Sequence, residues 1–300
     1  MTAHHTSIVG LGSMGYGMAQ SLLREGHSVH GFDINPDTNK KFIAEGGQPG
    51  AQADAAAQCQ CLVLVVLNAA QTESVLFGDD GWAAQLKKGA TVIACATVAP
   101  EFAKRMAAQC SELGLHYLDA PISGGAAKAA NGKLSIMAAG LPAAFDGAAP
   151  ALGAMAETVF ELGDEVGAGS AMKAVNQLLA GVHIAAMAEA LTFGMTQGVS
   201  PDKFLEVISQ CAGTSWMLEN RAPHIVQGDY TPASSVDIWP KDLGIVLDIA
   251  KSAKFGAPLT AAALQQFLAA SGSGLGAEDD AAVAKVYARN AGLKLPGDAS

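Results

Sequence analysis

A glycine pattern, GLGSMG over residues 10–15, stands between a short β-branched run, SIVG (7–10), and a stretch with helical spacing that closes on a glycine, SMGYGMAQSLLREG (13–26). Few patterns constrain a chain more. Glycines at i, i+2 and i+5 are common; where a strand turns into a helix they describe one particular turn. Gly10 allows the tight reversal, Gly12 lets backbone approach a bound group, and Gly15 lets the helix pack close on the strand. The helix then opens with unpaired N–H groups and the positive end of its dipole, which together attract phosphate. Gly10, Leu11, Gly12, Ser13, Met14 and Gly15 are therefore the candidate cradle for the pyrophosphate of a dinucleotide.

The alternation continues. SVHGFD (28–33) has strand character and TNKKFIAEGG (38–47) helical character. CLVLVVL (61–67) is a continuous apolar run of strand length, as expected for a strand covered on both faces. ATVIACATV (90–98) repeats it before a helix opening at Pro100–Glu101. HYLDAP (116–121), LSIMAAG (134–140) and ETVFELG (157–163) are the later strands. Strand alternating with helix implies a Rossmann-type, doubly wound parallel sheet. After about residue 165 the strand signals stop, and 168–198 is one long helical run without proline, followed by helical stretches near 201–211, 241–254, 258–270 and 278–290. The expected organisation is a dinucleotide-binding α/β domain over 1–165 and an all-helical domain over 166–300 for substrate and oligomerisation, with the long helix at the junction.

Half of the 300 residues are hydrophobic and 15% are charged, so a sizeable core is available. The net charge of −10 argues against a nucleic-acid partner, which needs a basic stripe. The five cysteines show no metal-ligand spacing and fit a reducing cytoplasm. The start, MTAHHTSIVG, lacks a basic region and a long apolar run, so no signal peptide is expected, and His4 and His5 are expected to form a mobile arm. The long segment is broken by Asn176, Gln177, His183 and Glu189, and reads as a buried helix of a soluble protein with no membrane partner.

Asp33 closes the second strand about 20 residues after the glycine turn, where an acid hydrogen-bonds a ribose 2′-hydroxyl. A carboxylate there repels a 2′-phosphate and no arginine follows, so NAD is expected rather than NADP. Asn68 and Thr97 follow the third and fourth strands, at the edge of an open α/β sheet where ligands bind. Each is either a cofactor contact or a loop cap. In DAPISGG (119–125), Ser123, Gly124 and Gly125 offer a hydroxyl and backbone N–H groups to a carboxylate, or form a plain turn.

Lys173 is the one cation between residues 168 and 198. A buried ammonium loses several kcal/mol of hydration unless paired or deprotonated, so such a lysine either snorkels to water or serves a purpose. Lys173, Asn176 and Gln177 fall at i, i+3 and i+4, on one helix face. A hydride acceptor needs a partner that takes the alcohol proton, and a lysine whose pKa is lowered by burial can do so and return it.

The segments GLGSMG with Asp33, DAPISGGAAKAANG, GAGSAMKAVNQ and WPKDLGIVLDIA resemble, in this order, the four signatures of the β-hydroxyacid dehydrogenases, and the resemblance runs from about residue 6 to 290. It implies Lys173 as the catalytic lysine, Ser123, Gly124 and Gly125 on the substrate carboxylate, Asn176 orienting substrate, and Thr97 and Lys241 on the cofactor. Many members carry a second asparagine where this chain has Gln177. NAAQTESVLFG, NQLLAGVHIAAMAEA, GTSWMLENRAPHIVQGDYTP and SSVDIWPKDLG resemble the L-threonate-oxidising subgroup, in which Ser215, Asn220 and Asp237 either meet substrate hydroxyls or act as caps and turn residues.

The expected activity is therefore NAD-dependent oxidation of a small anionic hydroxy acid, L-threonate first, to its 2-oxo acid, with no metal required. Tartronate semialdehyde reduction or 3-hydroxyisobutyrate oxidation is the alternative, and a non-catalytic dinucleotide-binding module a remoter one. A long helix apolar nearly all round needs cover, so a homodimer or homotetramer is expected.

Overall fold

The β-branched and apolar runs of the first half form strands: β1 (His5–Val9), β2 (Ser28–Phe32), β3 (Cys61–Leu64), β4 (Thr91–Ala94) and β5 (His116–Asp119). They pair in the order β2-β1-β3-β4-β5, every pair parallel. The structure, a computed structural model, describes residues 4–298. Side chains alternate between two cores. Ile8, Val29, Val63, Ile93 and Leu118 pack with Met18, Leu22 and Phe42 on one face. Leu62, Leu64, Val92 and Tyr117 pack with Trp82, Phe102 and Met106 on the other. Burial on both faces is why these strands read as continuous apolar runs.

Three later strands form a separate sheet: β6 (Ile122–Ser123), β7 (Leu134–Ala138) and β8 (Ala156–Glu161). β7 and β8 are parallel, while β6 and β7 are antiparallel. The sheet system is thus five parallel strands plus a small mixed sheet, because the chain leaving β5 turns back on itself at the 120–125 turn. His5 is the first residue of β1, in register with Ser28, so it belongs to the sheet rather than to a mobile arm.

Two compact units divide between Lys173 and Ala174, inside the helix Ala168–Thr196. The second unit is all-helical. Ile184, Met187 and Leu191 of the long helix share a core with Phe204, Leu218, Ile225, Trp239, Leu243, Phe267 and Val286. The helices Pro201–Ile208, Ile238–Ser252 and Pro258–Ala270 lie where expected, and a further one spans Trp216–Gln227. Pro223 stands inside that helix, so its sequence does not read as one. The long helix is less buried than its composition suggests: Met172, Val175, Leu179 and Phe193 are exposed.

Candidate active site

Strand order reverses at β1, which pairs with β2 on one side and β3 on the other, and a crevice opens at their carboxyl ends. Gly10 turns there with φ of 95°, and a Cβ on it would lie 2.2 Å from the Val65 carbonyl oxygen; one on Gly15 would lie 1.8 Å from the Gly10 oxygen. Neither position admits a side chain. A Cβ on Gly12 would meet nothing within 4 Å, so that residue shows bare backbone to open space. Beside it lies a cavity of about 950 Å³ lined by Gly10, Gly12, Asp33, Ile34, Asn68, Gln71 and Trp82, among others. That is the size of a site for a cofactor-scale ligand.

Asp33 lies at its edge. Its Oδ2 accepts from Leu11 N–H at 2.7 Å and its Oδ1 from Asn35 N–H at 2.9 Å, which pins the carboxylate on the glycine turn. Each oxygen keeps a lone pair for a ribose hydroxyl. The side chain of Ile34, an apolar residue that is wholly exposed, is available to an adenine face. Among the described lining residues Asp33, Asp79 and Asp80 carry charge and no lysine or arginine does, so a 2′-phosphate would meet only negative charge. The residues fit NAD. Asn68 lines the same cavity and also caps the helix Ala69–Phe77, its Oδ1 accepting from Gln71 N–H at 2.9 Å. Asn68 is thus a helix cap placed at the wall of the cavity. Thr97 follows β4 and is half-buried.

The second cluster forms where the chain leaves β5. Gly124 and Gly125 carry φ of 133° and 75°, a backbone that only glycine adopts without strain, and a Cβ on Gly125 would meet nothing within 4 Å. The long helix brings Lys173 to this turn. Only 8% exposed, its Nζ donates to the carbonyl oxygen of Ile122 at 2.9 Å, one residue before Ser123. The turn and the helix start are tied by Asp119, whose Oδ2 accepts from the N–H groups of Gly167 at 3.0 Å and Ser170 at 2.8 Å, while Oδ1 accepts from Ser170 Oγ at 2.7 Å. Burial pushes the Asp119 carboxyl up and these bonds pull it back only in part. Lys173, Ser123, Gly124 and Gly125 are therefore held together within one unit.

The remaining predicted residues lie in the second unit. Asn176 donates to Gln177, Gln177 donates to Asp242, and Lys241 pairs with the same carboxylate. The sequence alone does not single out Asp242 or Asp119; the signal each carries is an acid inside an otherwise apolar helix or at a strand end. Ser215 caps the helix Trp216–Gln227 through Leu218 N–H at 3.1 Å, Asn220 accepts from Arg221, and Asp237 accepts from Ser271 Oγ at 2.6 Å. Of the three, Ser215 is a helix cap, Asn220 lies inside the helix Trp216–Gln227, and Asp237 stands at the start of the helix Ile238–Ser252 without a side-chain cap bond. Among the described residues no group of three His, Cys, Asp or Glu side chains is placed to hold a metal ion.

Residues 5–163 match the family described as the NAD binding domain of 6-phosphogluconate dehydrogenase, and residues 167–287 the one described as NAD-binding of NADP-dependent 3-hydroxyisobutyrate dehydrogenase. An L-threonate dehydrogenase of Cupriavidus necator is 50% identical over 298 residues, 99% of each chain. A 3-hydroxyisobutyrate dehydrogenase of Pseudomonas aeruginosa is 37% identical over 273 residues, 87% of this chain and 90% of its own. Among solved structures, one described as 3-hydroxyisobutyrate dehydrogenase from Salmonella typhimurium superposes with a TM-score of 0.89 at 47% identity, covering 94% of this chain and 99% of that one.

Proposed function

The chain belongs to the β-hydroxyacid dehydrogenase family and is an NAD-dependent dehydrogenase, and on that premise we propose that its substrate is L-threonate, oxidised at the hydroxyl next to the carboxylate to give the 2-oxo acid. The observation that carries the reading of the site is the placement of the Lys173 ammonium on Ile122 O, beside the Ser123–Gly125 turn. The substrate follows the relative at 50% identity.

NAD, when bound, supplies the hydride acceptor. The chain's own residues do the rest. The Ser123 hydroxyl and the N–H groups of Gly124 and Gly125 take the substrate carboxylate, as backbone nests take anions. Lys173 in its amine form accepts the hydroxyl proton at Nζ, and in the reverse direction its ammonium returns that proton and steadies the forming alkoxide. The Ile122 carbonyl aims the group. Asn176 and Gln177 contact the substrate from the same helix face, Lys241 and Thr97 the cofactor. The 1–165 segment serves as the dinucleotide-binding domain, and the helical remainder as substrate and oligomerisation domain.

The exposed Met172, Val175, Leu179 and Phe193 support a homodimer or homotetramer, since apolar side chains along a helix are stabilised by a covering surface. Five free cysteines, four of them buried, suit a cytoplasmic protein.

Product analysis tests the reading. With L-threonate and NAD, a stable 2-oxo acid should form in equal amount with NADH. Oxidation of the next carbon instead would give a 3-oxo acid that loses carbon dioxide; its release would contradict the proposed pose. A second reading, 3-hydroxyisobutyrate oxidation, rests on the description of the 47% identical solved structure.

A further inference from the structure

The second unit holds a polar chain that the proton transfer does not use. Asp242, 2% exposed on the helix Ile238–Ser252, accepts from Gln177 Nε2 on Oδ2 at 2.5 Å. Gln177 Oε1 accepts from Asn176 Nδ2 at 2.8 Å. Lys241 Nζ lies 2.6 Å from Asp242 Oδ1 as an ion pair, without the alignment of a hydrogen bond. Gln177 is itself only 7% exposed.

A carboxylate can only accept. The group of Gln177 that faces Asp242 is therefore its NH₂, and its oxygen must face the other way. The group of Asn176 that meets this oxygen is in turn an NH₂, which leaves Oδ1 as the acceptor that Asn176 offers. Each link is set by the one before, and the first is set by a charge. Turning the Gln177 amide over puts oxygen against oxygen among buried groups, where an unmade hydrogen bond is costly, and turning the half-buried Asn176 amide over sets its oxygen against that of Gln177.

We propose that Asp242 is a positioning residue that fixes the hydrogen-bond polarity of Asn176, so that Asn176 Oδ1 accepts from a substrate hydroxyl beyond the one being oxidised. This rests on the reading of Asn176 as a substrate contact. An acceptor at that place recognises a hydroxyl and gives nothing to a hydrogen or a methyl group. The substrate class is then a polyhydroxy acid rather than a simple hydroxy acid. A site built to bond a hydroxyl rejects the analogue lacking it far more strongly than an apolar pocket sorts by size.

Two variants of the full chain test it. Gln177→Glu keeps the shape but sets two carboxyls at a separation that requires a proton between them. With that proton the introduced carboxyl donates to Asp242 and accepts from Asn176, reproducing the wild-type polarity; without it, two charges repel. The folded state holds the proton more tightly than the unfolded chain, so stability relative to wild type is kept at low pH and lost as pH rises through the raised folded-state pKa. The variant should melt near wild type at pH 5 and several degrees below it at pH 8. A difference independent of pH would overturn the proposal, and this readout needs no substrate.

Asp242→Asn removes the acceptor-only end of the chain. It should lower kcat/KM for L-threonate roughly 10–100-fold, chiefly through KM, the size of one charge-linked hydrogen bond. For 2-hydroxybutanoate, the same four carbons without further hydroxyls, the change should stay under about threefold. Equal losses on both acids, or a loss in kcat alone, would overturn the positioning role. A wild type that uses both acids equally would overturn the polyhydroxy-acid half together with the proposed substrate, and the melting experiment would then decide the positioning half.

Discussion

An ammonium that keeps only 8% of its residue's surface in water has exchanged hydration for protein contacts, and at Lys173 the exchange includes the Ile122 carbonyl. That contact holds Nζ beside the Ser123–Gly125 turn. Lys173→Ala should lower turnover by about 10²–10⁴-fold, while NADH binding, followed by fluorescence, stays near wild type. Unchanged turnover would remove Lys173 from the chemistry. We propose that Asp33 sets cofactor choice by charge, since each carboxylate oxygen already holds a backbone N–H and faces a cavity edge free of lysine and arginine among the described lining residues. Asp33→Ala should narrow the preference for NAD over NADP in kcat/KM, mostly through the KM of NAD. Equal use of both cofactors by the unaltered protein would contradict this account of Asp33.

Helix ends and buried acids act one level up, by holding elements in place. Ser170, in the first turn of the long helix, gives its N–H and its hydroxyl to the buried Asp119. Ser170→Ala should cost about 1–3 kcal/mol in denaturant unfolding, as for a bond to a charged buried partner. In the second unit Asp280 accepts from Arg221 Nε at 2.5 Å and Trp239 Nε1 at 2.9 Å, and burial still pushes its carboxyl up to about 6. A folded-state pKa above the unfolded value means the native state binds the proton more tightly. The corresponding stability is present below the unfolded value and lost as pH rises through about 6. Wild type should therefore gain stability relative to Asp280→Asn as pH falls from about 7 to 5; a constant difference in unfolding free energy would contradict it. The same scale shows what a sequence makes legible. The strand–helix alternation, the glycine turn and the position of the acid after β2 follow rules that act within a few residues, which is why they are legible in the sequence. The helix Trp216–Gln227 was hidden by its own Pro223, and the direction of β6 against β7 depends on pairing across a turn and a helix. Lys173 was singled out from sequence because a lone charge in an apolar run is visible. Asp242 was not, because its role lies in a contact with Gln177, 65 positions away.

At the scale of the molecule, a chain of net charge −10 is assigned an anionic substrate. No broad positive field draws the acid in, so on the proposed reading recognition falls to local groups: the N–H groups of Gly124 and Gly125, Ser123 and Lys173. Local recognition of that kind makes substrate choice sharp, because each acid must satisfy the same few donors and acceptors. The exposed apolar side chains of the long helix predict that the protein is not a monomer. Light scattering should give a multiple of the 30.4 kDa chain mass, and a single-chain mass would refute the oligomer. The central claim is that this scaffold oxidises L-threonate with NAD. Its most direct test is the ratio of kcat/KM for L-threonate to that for 3-hydroxyisobutyrate, from initial rates of NADH formation. The account predicts a ratio well above one; a ratio below one would contradict the assignment of L-threonate while leaving the fold and the lysine chemistry in place.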